Sequence, residues 1–313
     1  MLSNTHRKVL ELLMRDSGFI SSSRIASELG ISKASVSRIV KELIGYGFVI
    51  EVNPKLGYRV EVVDDVRYVG KVLKNMNIYY LDRCTSTQDI ADMLASQGAP
   101  EGTVVICEEM SYGRGRLGRK WVAGRGGLWF TIVLKPKIIK SLQLLTLIAG
   151  TSVVKSIKEL YNLDVSVKWP NDVLLGGRKL CGVLIEARLE ADSVNYVLVG
   201  IGVNVNNELP EELRGTAVTL AEVLGCKVPR VPILKGVVTN LFNLYNELLR
   251  GNVELVISEW RRYNSTIGKK VKVVSFNEVF EGTALDVDVD GSLIVRTEGG
   301  VRKVSVGDVV HLS

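Results

Sequence analysis

Tyr112-Gly113-Arg114-Gly115-Arg116-Leu117-Gly118-Arg119-Lys120-Trp121 is the stretch on which the fold turns. Gly113 to Gly118 has the spacing G-x-G-x-x-G, which between a strand and a helix would mark a dinucleotide-binding βαβ unit and a doubly wound sheet. The required helix does not follow: Val122-Ala123-Gly124-Arg125-Gly126-Gly127 has no 3.6-residue period. What remains is a glycine-rich loop carrying Arg114, Arg116, Arg119, Lys120 and Arg125. Backbone N–H groups of such a loop can form an anion nest while guanidinium forks grip phosphate oxygens in pairs. Taken alone, the string fits a phosphate clamp or a solvated RNA-binding loop.

Outward from this loop the apolar pattern mixes strands and helices without βα alternation. Residues 103–108 and 128–134 read as strands, 86–96 and 141–160 as helices. Four closely spaced strand candidates follow (165–169, 173–175, 180–189 and 196–205), then helices over 234–249 and 253–263. Hairpins on one sheet backed by helices predict an α+β domain. From Thr266 the chain becomes short strands with turns at Gly268, Asp290-Gly291, Gly299-Gly300 and Gly307-Asp308, the pattern of a small β-barrel.

The N-terminal segment is different. Val9, Leu10, Leu13 and Met14 stand at helical spacing before Gly18. A second helix follows Ser22 and stops at Gly30. A third begins after the N-cap Ser32 and gathers Val36, Ile39, Val40 and Leu43 on one face, leaving Lys33, Ser35, Ser37, Arg38 and Lys41 on the other. Residues 48–52 and 58–60, joined by Asn53-Pro54-Lys55-Leu56-Gly57, read as a hairpin. The unit is a winged helix-turn-helix whose Ser22 to Lys41 segment would meet DNA through Lys33, Ser35, Arg38 and Lys41. Nine basic residues against six acidic ones in the first 63 give this unit half of the chain's net charge of +6. A protein-interaction domain with a solvated basic helix is the other reading.

A length of 313 residues predicts two or three domains, and 46% hydrophobic with 24% charged residues is a globular composition. The uncharged run from Ser141 to Val154 is too short for a membrane span of roughly 20 residues, and the N-terminus carries charges where a signal peptide would be apolar. A cytoplasmic protein is expected. Cys84, Cys107, Cys181 and Cys226 form no CxxC pair, and His6 and His311 lie at opposite ends. A zinc cluster, a disulfide framework and a Ser-His-Asp triad are therefore hard to build. The chemistry is left to Lys, Arg, Asp and backbone amides.

Two further strings carry chemistry. Lys168-Trp169-Pro170-Asn171-Asp172, followed by Lys179-Leu180-Cys181-Gly182, is a tight strand-to-strand turn that can bring Asp172 and Lys179 to one ligand; an ordinary turn with a surface lysine is the alternative. Gly200-Ile201-Gly202-Val203-Asn204-Val205-Asn206 places glycines where a ligand or backbone must approach a strand, or where the strand bulges.

Together with Ser86-Thr87 at a helix start, GRGRLGRKW, KWPND, RKLCG and GIGVNVN stand in the order found in biotin–protein ligases, which this chain resembles over nearly its whole length. The winged N-terminus with its Lys55-Leu56-Gly57-Tyr58 turn resembles the bifunctional class that is also the biotin operon repressor. The resemblance implies three domains: winged helix-turn-helix over 1–65, a catalytic domain of the fold shared with lipoate ligases over 66–265, and an SH3-like β-barrel over 266–313. It implies a two-step enzyme that makes biotinyl-5′-AMP from biotin and ATP with Mg²⁺, then passes biotin to a lysine of biotin carboxyl carrier protein. Operator DNA and a second copy of the chain are the other implied partners, with no membrane.

By the same resemblance Ser86, Thr87, Gln88, Met110, Arg114, Gly115, Arg116, Lys179 and Gly182 hold biotin. Gly113, Arg114, Arg116, Trp121, Asn171, Lys179 and Asn204 hold the nucleotide. Arg116, Lys179 and Asp172 carry catalysis, with Arg116 closing the loop over the adenylate and Trp121 packing by adenine. The chemistry agrees: biotin's carboxylate is ionised at neutral pH, so attack on the α-phosphate needs no base but does need relief from anion repulsion. The chain departs from the family at Gln88, often Asn, and at Met110, where many members have Gln; a thioether donates no strong hydrogen bond, so either biotin affinity is lower or another donor substitutes, Ser111 being the candidate. The competing readings are a biotin-sensing transcription factor with impaired catalysis and a lipoate ligase relative.

Overall fold

The computed structural model describes residues 2–16, 18–60, 66, 69–73, 76–136, 141–190, 193–275 and 278–312. The boundary expected at residue 65 lies outside them.

Three helices open the chain: α1 (Asn4–Arg15), α2 (Ser22–Leu29) and α3 (Lys33–Tyr46), capped by the side chains of Ser3, Ser21 and Ser32. The second helix thus includes Ser22, because Ser21 supplies its cap. Gly30 in the left-handed region ends it. Strands β1 (Ile50–Asn53) and β2 (Gly57–Val60) form the antiparallel wing, and Asn53 Oδ1 accepts from the N–H groups of Lys55 and Leu56 to set its turn. Val9, Leu13, Ile25, Val36, Val40, Leu43 and Phe48 are fully buried between helices and wing. Ser37 Oγ lies 2.8 Å from Tyr58 Oη and ties α3 to the wing. This unit docks on the rest through Arg7, whose guanidinium donates to the Glu159 and Lys158 carbonyls at 3.1 and 3.4 Å. Those carbonyls end a long helix, where a cation meets the negative end of the macrodipole.

The central domain begins with α4 (Val69–Val72), β3 (Ile78–Cys84), α5 (Thr87–Ser96) and β4 (Val104–Arg114). It continues with β5 (Lys120–Ala123), β6 (Leu128–Leu134), α6 (Leu142–Tyr161), β7 (Val165–Lys168), β8 (Asp172–Leu175), β9 (Arg178–Glu190) and β10 (Ser193–Val203). Helices α7 (Leu220–Leu224), α8 (Arg230–Leu249) and α9 (Val253–Tyr263) close it. The sheet order is β3-β4-β6-β10-β9-β8-β7 with β5 on β4, and among its pairings only β3 with β4 is parallel. Period-2 alternation divides its residues between two cores. Val104, Ile106, Ile132 and Leu134 join the large core that includes α6 and α8, whereas Val105, Val133 and Leu198 pack with Ala91 and Ala95 of α5 on the opposite face.

The tail is a five-stranded antiparallel sheet, β11 (Lys270–Val274), β12 (Val279–Val287), β13 (Leu293–Thr297), β14 (Gly300–Val304) and β15 (Asp308–His311), in the order β14-β13-β12-β11-β15. Trp169, 1% exposed, anchors it: its indole N–H donates to the Gly291 carbonyl at 3.0 Å and its backbone N–H to Thr266 Oγ1 at 3.0 Å. Among the described residues no helix is long and apolar enough to cross a membrane. All four cysteines are free.

The short helices α4 and α7 are not expected from the sequence, and the elements differ from that reading in other places too. Strand β3 goes unpredicted, its apolar residues being interrupted by Asp82 and Arg83. Helix α8 starts at Arg230, four residues early, because Pro232 fits a first helical turn. The glycine-arginine segment is largely a hairpin: β4 runs on through Gly113 and Arg114, β5 pairs back on it from Lys120, and the connection between them, Gly115 to Arg119, contains a 3₁₀ turn at Arg116–Gly118.

Candidate active site

The α5 face of the sheet carries a cavity of about 330 Å³ lined by α5, the β4–β5 hairpin, β6 to β10 and the C-terminal sheet. At one end lie Ser86, Thr87, Gln88, Met110, Phe130 and Ile201. Ser86 caps α5, its side chain accepting from Gln88 N at 3.3 Å, so the helix start is fixed against β4 and β6. Thr131 Oγ1 donates to Thr87 Oγ1 at 2.8 Å, and the Thr87 N–H points at Met110 Sδ 3.3 Å away. Gln88 is 4% exposed; its amide N–H₂ reaches the Leu184 carbonyl at 3.3 Å, and its buried Oε1 has no protein partner among the described residues. A Cβ at residue 200 would stand 3.0 Å from Gln88 Cδ, so glycine there gives the amide its place.

Trp121 on β5 lies across β9 and β10. A Cβ at residue 202 would meet its indole at 2.8 Å, which accounts for Gly202. Trp129 packs edge-on at 6.0 Å, and Lys179 Nζ stands 5.4 Å from the Trp121 ring centroid. Lys179 Nζ also lies 2.6 Å from Asp172 Oδ1, close as an ion pair though not aligned as a hydrogen bond. Both residues follow from strand geometry, since Asp172 opposes Gly182 in the β8–β9 ladder and Lys179 lies three residues before it. Asn171 orients the turn by donating to the Val183 carbonyl at 2.8 Å, and its Oδ1 accepts from Arg116 Nη1 at 3.3 Å. Burial pulls the Arg116 guanidinium below its usual pKa range, opposed by the nearby Asp172 carboxylate. Arg114 pairs with Asp89 at 2.5 Å and Glu186 at 3.4 Å.

The cavity therefore gathers Ser86, Thr87, Gln88, Met110, Arg114, Gly115, Arg116, Trp121, Asn171, Asp172, Lys179 and Gly182. Two expected nucleotide ligands lie outside its lining. Gly113 faces Trp121, whose carbonyl would stand 2.4 Å from a Cβ, so this glycine serves strand packing. Asn204 is 3% exposed and accepts from Asn207 Nδ2 at 3.3 Å, holding the loop after β10. Ser111 does not replace a donor beside Met110: strand alternation turns it outward, where it is exposed and its hydroxyl points at the Cys84 carbonyl.

Sequence reasoning missed Lys168 as a lining residue, although it stands in the KWPND string, and missed Asp308, Val309 and Val310 from the C-terminal sheet. It also missed the support beneath the site. Arg230, 1% exposed, makes a bidentate pair with Glu108 at 3.0 and 3.1 Å and donates to the Gly127 carbonyl at 2.6 Å, fixing the turn between β5 and β6. On the DNA-binding unit Lys33, Arg38 and Lys41 are exposed along α3, while Ser35 Oγ is 2.9 Å from Ser32 Oγ at the helix cap.

Family models match in chain order an HTH domain over residues 5–59, the biotin/lipoate A/B protein ligase family over 80–204, and the biotin protein ligase C-terminal domain over 266–312. A bifunctional ligase/repressor BirA of Bacillus subtilis is 32% identical over 322 aligned positions, covering 98% of this chain and 99% of that one. The chain belongs to the bifunctional biotin–protein ligase/repressor family. Within this ligase/repressor family the three-part architecture follows the chain from end to end. A biotin–[acetyl-CoA-carboxylase] ligase of Mycobacterium tuberculosis is 34% identical over 233 positions, covering 71% of this chain and 85% of its own. Among solved structures, the Aquifex aeolicus biotin protein ligase in complex with biotin and ATP superposes with a TM-score of 0.67 at 31% identity, covering 75% of this chain and 98% of that one.

Proposed function

We infer that the chain is an ATP-dependent biotin–protein ligase that also represses transcription, with biotin and ATP as substrates. The observation that carries the reading is the cavity itself, whose lining joins amide, hydroxyl and apolar groups (Gln88, Thr87, Ser86, Met110) with Arg116, Asn171, Asp172 and Lys179. Biotin's ring system suits the first part, and its carboxylate the second.

In the first half-reaction the carboxylate attacks the α-phosphate of ATP and pyrophosphate leaves. Lys179 and Arg116 offset the charge that builds on the phosphorus oxygens. Mg²⁺ would accompany ATP, held by its phosphates and by one or two carboxylates such as Asp172, and would offset the charge on the phosphates. Trp121 offers a flat apolar surface for adenine. In the second half-reaction a lysine amine of a carrier protein attacks the acyl carbon of the mixed anhydride. The amide bond forms, the bond from that carbon to the phosphate oxygen breaks with AMP leaving, and Asp172 receives the proton from nitrogen. The carrier is biotin carboxyl carrier protein; operator DNA meets α3 of a homodimer, whose two units would match a palindromic site. We read the chain as units 1–65, 66–265 and 266–313.

Impaired catalysis is disfavoured because Arg116, Asp172 and Lys179 reach one cavity, and a lipoate ligase because of the winged and C-terminal units. The test is biotinylation of carrier protein with MgATP. Lys179→Ala lowers adenylate formation by roughly 10²–10³-fold, the scale of a lost charge-stabilising donor. An unchanged single-turnover rate would remove Lys179 from the chemistry.

A further inference from the structure

The strand order sets out the cavity in a line. Met110 is on β4, Phe130 on β6, Ile201 on β10, Lys179 on β9, Asp172 on β8 and Lys168 on the edge strand β7. Neighbouring strands are about 4.8 Å apart, so β7 lies about 10 Å beyond β9 on the side away from the biotin end. Attack on the α-phosphorus places the entering and leaving oxygens roughly in line. A carboxylate arriving from the β10 side over Lys179 therefore sends pyrophosphate toward β7.

Lys168 waits there with its charge uncommitted. The other half-buried cations of the lining have partners: Arg114 has Asp89 and Glu186, Arg116 has Asn171 and approaches Asp308 at 3.9 Å, and Lys179 has Asp172. Lys168 lines the same cavity, is half-buried, and makes no carboxylate ion pair among the described residues. Lys120 also makes no carboxylate ion pair among the described residues but is exposed. Burial holds the Lys168 ammonium below the usual lysine range; the charges of Lys179 and Lys269 add to this and Asp172 opposes it. Asp172 is ion-paired to Lys179, so Lys168 feels its charge without pairing to it; a desolvated cation left so is costly, and an arriving polyanion offsets the cost. Its position is fixed by neighbours on both sides. Lys168 opposes Asp172 in the β7–β8 ladder, and the next residue, Trp169, is bound to Thr266.

Resting on the ligase reading above, we propose that Lys168 binds the β- and γ-phosphates of ATP and steadies the pyrophosphate leaving group. The new bond joins the biotin carboxylate oxygen to the α-phosphorus. The bond from that phosphorus to the bridging oxygen breaks, its electron pair leaves on pyrophosphate, and Lys168 keeps its proton throughout.

The test uses the full chain, Lys168→Met and Lys168→Arg, with three assays: adenylate synthesis from MgATP and biotin, its reversal by added pyrophosphate, and transfer from preformed biotinyl-5′-AMP. Lys168→Met raises KM for ATP and for pyrophosphate by about tenfold or more, the scale of a lost charge-assisted contact. Biotin affinity and transfer from preformed adenylate stay within about twofold, since neither ligand has β- or γ-phosphates. Lys168→Arg restores most of the ATP and pyrophosphate affinity. Unchanged KM values for both phosphates overturn the assignment. An equal loss in transfer and biotin binding makes Lys168 a structural residue and overturns it too. If the unaltered chain makes no adenylate, the ligase reading itself fails.

Discussion

Asp308 on β15 is ion-paired with Arg119 at the tip of the β4–β5 hairpin, 189 positions earlier, and its other oxygen lies 3.9 Å from Arg116 Nη1. The C-terminal sheet thereby clasps the arginine turn of the catalytic domain over the cavity. Arg119 is 64% exposed at its side chain, so the clasp adds little to global stability, within the range of about 0–1 kcal/mol for surface pairs. Its effect is local order. Asp308→Asn should speed tryptic cleavage in the turn several-fold without moving the melting temperature, and unchanged cleavage would show that the turn is ordered by the ladder alone. Arg116→Gly should let adenylate escape before transfer, because a guanidinium contact and loop order are lost together. Promiscuous lysine labelling by the released adenylate measures it, and tight retention would remove Arg116 from this role.

Asp172 is expected to matter most in the second half-reaction. An acceptor lysine with a pKa of about 10.4 is neutral in only about one molecule in a thousand near pH 7.4, so a carboxylate that takes its proton during attack is valuable. Asp172→Asn should slow transfer from preformed biotinyl-5′-AMP more than adenylate synthesis. Because Asp172 also pairs with Lys179, equal losses in both half-reactions would instead mean that it only positions that lysine.

The Glu108–Arg230 pair should be the costliest ion pair to break by halves. Glu108→Ala leaves a guanidinium that is 1% exposed without its carboxylate, a change worth about 3–5 kcal/mol. Denaturant unfolding of the variant is the measurement. A loss below about 1 kcal/mol would mean that water or the Gly127 carbonyl suffices for Arg230.

Removal of Lys33, Arg38 and Lys41 together should weaken operator binding and reduce its salt dependence by about one unit of slope per phosphate contact, while biotinylation persists. All three are exposed on α3, whereas Ser35 is engaged at its cap and should contribute less. Normal operator binding by the triple alanine variant would assign the winged unit another purpose.

By itself the sequence determined what is local in the chain. The N-cap Ser32 and the αL Gly30 bounded the turn of the helix-turn-helix, 3.6-residue spacing set the buried stripe of α3, and missing helical period after Gly118 excluded a dinucleotide-binding unit. Ser86, Arg116, Asp172 and Lys179 came into one expectation through the order of short motifs shared with the biotin–protein ligases, each motif being a local run that the sequence displays directly. Other features depended on which strands neighbour which. That Lys168 and Asp308 share a cavity with Met110, that Ser111 faces away, and that Glu108 finds Arg230 across 122 positions were decided by the tertiary structure alone. Sheet order, strand parity and helix docking follow from burying two apolar faces at once. That free energy belongs to the assembled core and leaves no mark at any single position of the chain.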